Sequence, residues 1–180
     1  MKETTFQREL ADAFRGSGWW VMKIADAPGG MSVGPSGRME TRYTIPKAFD
    51  LILIAPLSDL GKGAAIECKM EKSPRLKVDE RMVTQIRSVQ EVSKRSGIGW
   101  IAVNFRYERQ RTGRVNRAIM VPADSLLDAT GNGVMIGDKL TAEDPLAFPY
   151  ASELRRVTGG WDGQAKLASG WFTVGKHAGA

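Results

Sequence analysis

Phe49-Asp50-Leu51-Ile52-Leu53-Ile54-Ala55 and Ala64-Ala65-Ile66-Glu67-Cys68-Lys69-Met70 are two strongly apolar runs, and Pro56 to Gly63 between them has the composition of a turn. Runs of this length, bounded by proline and glycine, form β-strands that pair as a hairpin. Side chains on a strand alternate between its faces, so Glu67 and Lys69 share one face while Ile66, Cys68 and Met70 point into the opposite layer. An ionised group on an otherwise apolar strand is costly to bury unless it is paired or binds a metal. Asp50, at the start of the neighbouring strand, is the natural companion of Glu67 and Lys69.

Downstream, Val78, Met82, Ile86, Val89 and Val92 recur at helical spacing and predict a helix from Val78 to Arg95, closed by Ser96-Gly97. Ile98 to Tyr107 reads as a fourth strand and Arg117 to Val121 as a fifth. The arginine-rich segment Glu108 to Asn116, with its Thr112-Gly113 turn, lies between them. Upstream, Phe6, Leu10, Ala13 and Phe14 predict an amphipathic helix over residues 3–15, capped by Thr4 or Thr5 and ended by Gly16-Ser17-Gly18. Trp19 to Ile24 reads as the first strand. The Gly- and Pro-rich stretch Asp26 to Gly37 resists regular structure, and Arg38, Arg42 and Lys47 extend it into a long basic loop over residues 26–47. Contact with nucleic acid and plain flexibility are both open for that loop. From about Asn132, glycines and the isolated aromatics Trp161, Trp171 and Phe172 lack periodicity, which predicts an irregular tail with a short helix near Ala151 to Val157. The element order is αβββαββ, an α/β (α+β) arrangement.

At 180 residues and 42% hydrophobic content, the chain supports one core, so residues 1–180 are expected to form a single domain. The net charge of +6 and a pI near 9.6 favour a polyanionic partner. The segment Lys62 to Arg117 holds 14 Lys or Arg against 6 Asp or Glu, so the middle of the chain is its basic part. Cys68 is the only cysteine, which excludes an intrachain disulfide and a multi-cysteine zinc site and makes a reducing, cytoplasmic setting the default. No signal-peptide pattern and no apolar run of roughly 20 residues is present, so no membrane partner is expected.

Phosphodiester hydrolysis needs charge neutralised on a pentavalent transition state, a water activated and a departing oxyanion stabilised, and a carboxylate-held Mg²⁺ meets all three needs. Asp50 and Glu67 would hold that ion, and the backbone carbonyl of Cys68 would add a third oxygen. Lys69 would position or polarise the water. Gln85 falls among Met82, Ile86, Val89 and Val92 on the helical wheel, so it either reaches inward to a polar partner at this centre or edges the apolar face with its amide in water.

Asp50, then Glu67-Cys68-Lys69 after a spacing of 17, resembles the signature of PD-(D/E)xK nucleases. Gln85-Ile86-Arg87-Ser88-Val89-Gln90-Glu91-Val92, Gly97-Ile98-Gly99-Trp100-Ile101-Ala102-Val103 and Ile119-Met120-Val121-Pro122-Ala123-Asp124-Ser125-Leu126 are similar, in that order, to the RecU-like Holliday junction resolvases. The resemblance spans roughly Asp50 to Leu127. It implies a restriction-endonuclease-like core, a central mixed β-sheet flanked by helices. The implied activity is Mg²⁺-dependent resolution of four-way DNA junctions, with Mn²⁺ able to substitute, by a homodimer in the cytoplasm of a bacterial or phage-infected cell. It also implies that Gln85 orders the active site and that the first helix supplies a further acidic metal ligand. Of Glu3 and Glu9, Glu3 is favoured because it shares a face with Gln7, the position nearest the family's acidic residue, while a solvated terminal Glu3 is the alternative.

Lys72, Arg75 and Lys77 follow the catalytic strand directly and are expected to contact DNA near the cut. Arg106, Arg109, Arg111, Arg114 and Arg117 form either a solvated hairpin or phosphate contacts. Gly61-Lys62-Gly63 lacks the full phosphate-loop pattern, so no nucleotide cofactor is expected. His177 is the sole histidine, which excludes nucleases that need two and makes a serine-histidine triad untenable. A less selective nuclease of the same superfamily and a non-catalytic DNA-binding module remain as rival readings.

Overall fold

The computed structural model describes residues 3–24, 31–33, 39–41, 48–56, 62–109, 113–126, 150–167 and 170–175. The elements are α1 (Glu3–Gly16), β1 (Trp20–Lys23), β2 (Met31–Val33), β3 (Met39–Thr41), β4 (Leu51–Ile54), β5 (Gly63–Glu71), α2 (Glu80–Ser96), β6 (Gly99–Arg109), β7 (Gly113–Pro122), β8 (Ser152–Val157), β9 (Gly160–Leu167) and β10 (Gly170–Val174). A single 3-10 turn, Ala123–Ser125, follows β7. No helix among the described residues is long and apolar enough to cross a membrane.

The main sheet has the order β1-β4-β5-β6-β7-β8-β9-β10. It is mixed, because β5 and β6 run parallel while the other pairs are antiparallel. The parallel pair needs a crossover, and α2 provides it. Asp79 caps α2 by accepting a hydrogen bond from the Met82 amide at 2.8 Å, and Gly97 ends it at φ +80°, a conformation that suits glycine. On one face of the sheet, Met82, Ile86 and Val89 of α2 pack against Ala65, Ile101, Val103, Ile119 and Val121. On the other face, Phe6, Leu10 and Phe14 of α1 pack with Leu51, Leu53, Ile66, Cys68, Trp100 and Ala102.

The sheet curls around α1, which touches β1 and β5 near one end of the strand order and β9 and β10 at the other. Trp161 of β9 meets Phe6 edge-on at 5.9 Å, and Phe172 of β10 lies 5.5 Å from both Trp19 and Trp100. The indole of Trp100 donates to the Lys166 carbonyl at 3.0 Å. Gly175 N donates to Ala13 O at 3.0 Å, and Arg156 bonds Glu9 at 2.9 Å, which holds the Glu9 carboxyl below its ordinary pKa.

Three expectations are corrected. The tail is not irregular with a helix at Ala151 to Val157, since Ser152–Val157 is a strand with Leu154 buried between exposed Glu153 and Arg155. That is period two, and aromatics spaced along a twisted meander carry no helical repeat. The basic loop at 26–47 contains the hairpin β2-β3, because its Gly and Pro residues fall mostly at 28–30 and 34–37, leaving strand-compatible residues at 31–33 and 39–41. The arginine-rich segment 108–116 is mostly strand, as β6 and β7 pair from Trp100↔Pro122 to Arg109↔Gly113. The order αβββαββ therefore gains an inserted hairpin and a terminal three-stranded extension.

Gly99 sets the distance between α2 and the sheet. A Cβ there would lie 2.9 Å from Val89 Cγ1 and 3.0 Å from the Val89 carbonyl oxygen. Gly99→Ala is expected to destabilise the fold by about 1–3 kcal/mol through overpacking. Urea denaturation would show this as a lower midpoint at unchanged slope, whereas an unchanged midpoint would mean that α2 packs farther from β6.

Candidate active site

The backbone ladder between β4 and β5 begins at Leu51↔Ile66, and Asp50 N still donates to Ile66 O at 3.0 Å. One step further along β5 a side chain replaces the ladder: Cys68 N donates to Asp50 Oδ2 at 2.8 Å. In a strand the N–H and C=O of one residue point to the same edge, so the Cys68 carbonyl is directed to the edge that Asp50 occupies. Asp50 and Glu67 are each 1% exposed.

Glu67 and Lys69 lie on the α2 face of β5, while Ile66 and Cys68 enter the α1 core, as strand alternation requires. Lys69 Nζ donates to Glu67 Oε1 at 2.6 Å and to Gln85 Oε1 at 2.7 Å. Gln85 is buried and its amide turns inward, not to water. Two hydrogen bonds to one ammonium, one of them to a carboxylate, fix a side chain that otherwise samples many rotamers. Asp50, Glu67, Lys69 and Gln85 are thus brought together by β4, β5 and α2.

On the opposite side α1 contributes Gln7, buried, whose Nε2 lies 3.4 Å from Oε1 of the half-buried Glu3. Glu3 shares a face with Gln7, and it acts with Asp50 and Glu67 on the Cys68 thiol. Burial first, and these carboxylates next, push that thiol well above its ordinary pKa. Glu9 belongs elsewhere, in its ion pair with Arg156.

Among the described residues no group of three or more His, Cys, Asp or Glu side chains is arranged to hold a metal. Asp50 and Glu67 form a two-carboxylate set, and the Cys68 sulfur is turned away into the α1 core. An all-oxygen set of one or two carboxylates, completed by water, fits Mg²⁺, which keeps several waters when bound. Asp50, Glu67 and the Cys68 carbonyl are the groups that would hold it.

Among the residues expected to bind DNA, Arg38, Arg42 and Lys47 lie outside the described residues, and so do the side chain of Arg109 and the whole of Arg111. Arg75 and Lys77 are exposed on the connection between β5 and α2. Arg117 is taken up by Glu153 at 2.6 Å across β7 and β8, a structural ion pair. Lys72, by contrast, meets Arg106, Tyr107 and Arg114 in one groove. Strand alternation through residues 104–117, had it been followed into the arginine-rich segment, would have placed Arg106 and Arg114 together.

No family model matches the chain, and no curated protein matches it. A solved structure, the Holliday junction resolvase Hjc from Archaeoglobus fulgidus, is similar at 18% identity with a TM-score of 0.39, covering 80% of this chain and 98% of that one.

The Cys68 thiol, fully buried and held protonated, is expected to resist iodoacetamide at pH 8 in the folded protein and to react once the chain is unfolded in urea. Mass spectrometry of the alkylated protein decides this. Rapid labelling of the native chain would place Cys68 in solvent and undo the described packing of β5.

Proposed function

We propose that this chain is a metal-dependent DNA endonuclease that resolves four-way junctions by symmetric phosphodiester hydrolysis. The observation that carries the catalytic reading is the convergence of buried Asp50 and Glu67 with Lys69, whose ammonium lies 2.6 Å from Glu67 Oε1 and 2.7 Å from Gln85 Oε1. A bound Mg²⁺, or Mn²⁺ in its place, would supply Lewis-acid neutralisation at the phosphoryl oxygens and lower the pKa of water.

The protein's own groups account for the rest. Asp50 is braced by the Cys68 amide, so its carboxylate keeps its orientation at the strand edge. Lys69, held by Glu67, would offer its remaining donor to a water or phosphate oxygen and offset negative charge near the scissile bond. Gln85 is a positioning residue that fixes the ammonium through its amide oxygen. The partly exposed Lys69 side chain supports an approach for solvent and substrate from that side.

The net charge of +6 supports a polyanionic substrate. The junction preference is supported by the resemblance of Gln85 to Leu126 to RecU-like resolvases, and paired incision of two strands calls for two active sites, hence a homodimer.

The test is to incubate the pure protein with Mg²⁺ and, in parallel, a synthetic four-way junction, a linear duplex and a single strand. Paired symmetric nicks confined to the junction are expected; equal cutting of all three would leave a less selective nuclease. Asp50→Asn and Glu67→Gln are each expected to lower the cleavage rate by about 10²–10³-fold or more, the several kcal/mol that metal-assisted stabilisation provides. Both variants should keep junction binding and a native circular dichroism spectrum. Binding lost in a folded Asp50→Asn variant would make Asp50 a structural residue.

A further inference from the structure

Beyond Lys69 the strand β5 continues through Met70 and Glu71 to Lys72, and its parallel neighbour β6 continues through Phe105 to Arg109, paired with β7. These strand ends enclose a cavity of about 380 Å³ lined by Met70, Lys72, Arg106, Tyr107, Glu108 and Arg114. Cys68 and Ile66 on β5, Trp100 and Ala102 on β6, and Ala118 and Met120 on β7 all enter the α1 core. Counting in twos from them puts Met70, Arg106 and Arg114 on that same face.

Three cations here face one acid. Glu108 approaches Arg114 only at 3.7 Å, with both side chains more than 70% exposed, so solvent screens the pair and it does little to hold either partner. Glu9 lies near enough to act on Arg106 but is bonded to Arg156. Two guanidiniums and an ammonium beside an aromatic ring suit a chain of phosphates better than one small anion, because arginine grips phosphate oxygens bidentately.

We infer that this groove binds the sugar-phosphate backbone of the DNA substrate at the end of the sheet, on the face away from Lys69. The inference rests on the nuclease reading for its substrate class. Lys72 follows Lys69 by three residues, roughly 10 Å at ~3.3 Å per residue, and stands just past the end of β5. The groove therefore lies on the α1 side of the sheet and Lys69 on the α2 side, so a substrate lying across the end of β5 would be held from both faces at once.

The experiment compares Arg106→Gln/Arg114→Gln with Lys94→Gln/Arg95→Gln, a pair on exposed α2 positions that removes the same charge far along the chain from the groove. Binding of a fluorescein-labelled duplex and a four-way junction is measured by anisotropy in EDTA across a salt series. The groove variant is expected to bind at least about 10-fold more weakly, with its log K against log salt slope reduced by about 2, since each phosphate contact contributes about 0.9. The α2 variant should stay within about 3-fold of the unmodified protein, and Arg106→Lys/Arg114→Lys should recover most of the affinity. A groove variant that binds like the unmodified protein overturns the inference, as does an equal loss in the α2 variant, which would reduce the effect to net charge. Cleavage by the unmodified protein, run on the same DNA with Mg²⁺, tests the nuclease reading separately. No cleavage with an intact groove effect would sink the reading of the site and leave the groove standing.

Discussion

The bond from the Cys68 amide to Asp50 Oδ2 holds β4 and β5 together at the point where their backbone ladder runs out. A buried amide needs a partner, and β4, which starts at Leu51, has no backbone carbonyl left to offer. Using a carboxylate for this purpose places a negative group at the strand edge, beside Glu67 on the next residue and the outward Cys68 carbonyl. One local constraint of sheet pairing thus collects oxygen atoms at a single place. An apolar residue at position 50 would leave the Cys68 amide buried without that acceptor.

The same edge must be held rigidly from both sides, and the two cores do this in different ways. On the α2 side, the absence of a side chain at Gly99 lets the Val89 turn settle onto β6, and Gln85, one turn earlier on α2, comes within 2.7 Å of Lys69. On the α1 side, β8, β9 and β10 bring Leu154, Trp161, Ala165 and Val174 to a helix that the first strands cover only in part. The tail is therefore part of the core that supports Cys68 and Ile66. It also adds Arg156 opposite Glu9, which commits that carboxylate to packing and leaves Glu3 as the acidic residue of α1 within electrostatic reach of the centre.

The site was legible in the sequence because charge on an apolar strand is rare and expensive. Glu67 and Lys69 stand out against Ala64, Ala65, Ile66 and Cys68 for that reason, and Gln85 stands out against Met82, Ile86 and Val89 on a helix with strong period. Both signals are local. The tail was not legible because its strands are short and curve around a helix more than a hundred residues earlier in the chain. Trp161 is buried and Phe172 partly buried by that distant packing, while Trp171 on the same strand as Phe172 remains exposed. The arginine-rich segment hid the full length of β6 and β7 for a related reason: residues on a long, twisted hairpin can be polar on both faces once it extends past the core, so its strands lose the apolar alternation.

Why Lys69, and not an arginine, stands between Glu67 and Gln85 follows from the space and the number of bonds. A compact ammonium offers three donors on one atom, so two can be spent on Glu67 and Gln85 while a third would be left for a substrate atom. A guanidinium would spread its donors over a planar fork and claim the Glu67 carboxylate bidentately, taking oxygens that a metal would need. In the groove the preference reverses: Arg106 and Arg114 line a wider space where a broad fork would grip phosphate without having to share a ligand. The division between a lysine held by two partners and arginines lining a groove is what chemistry at a single phosphate and attachment along several of them would each require.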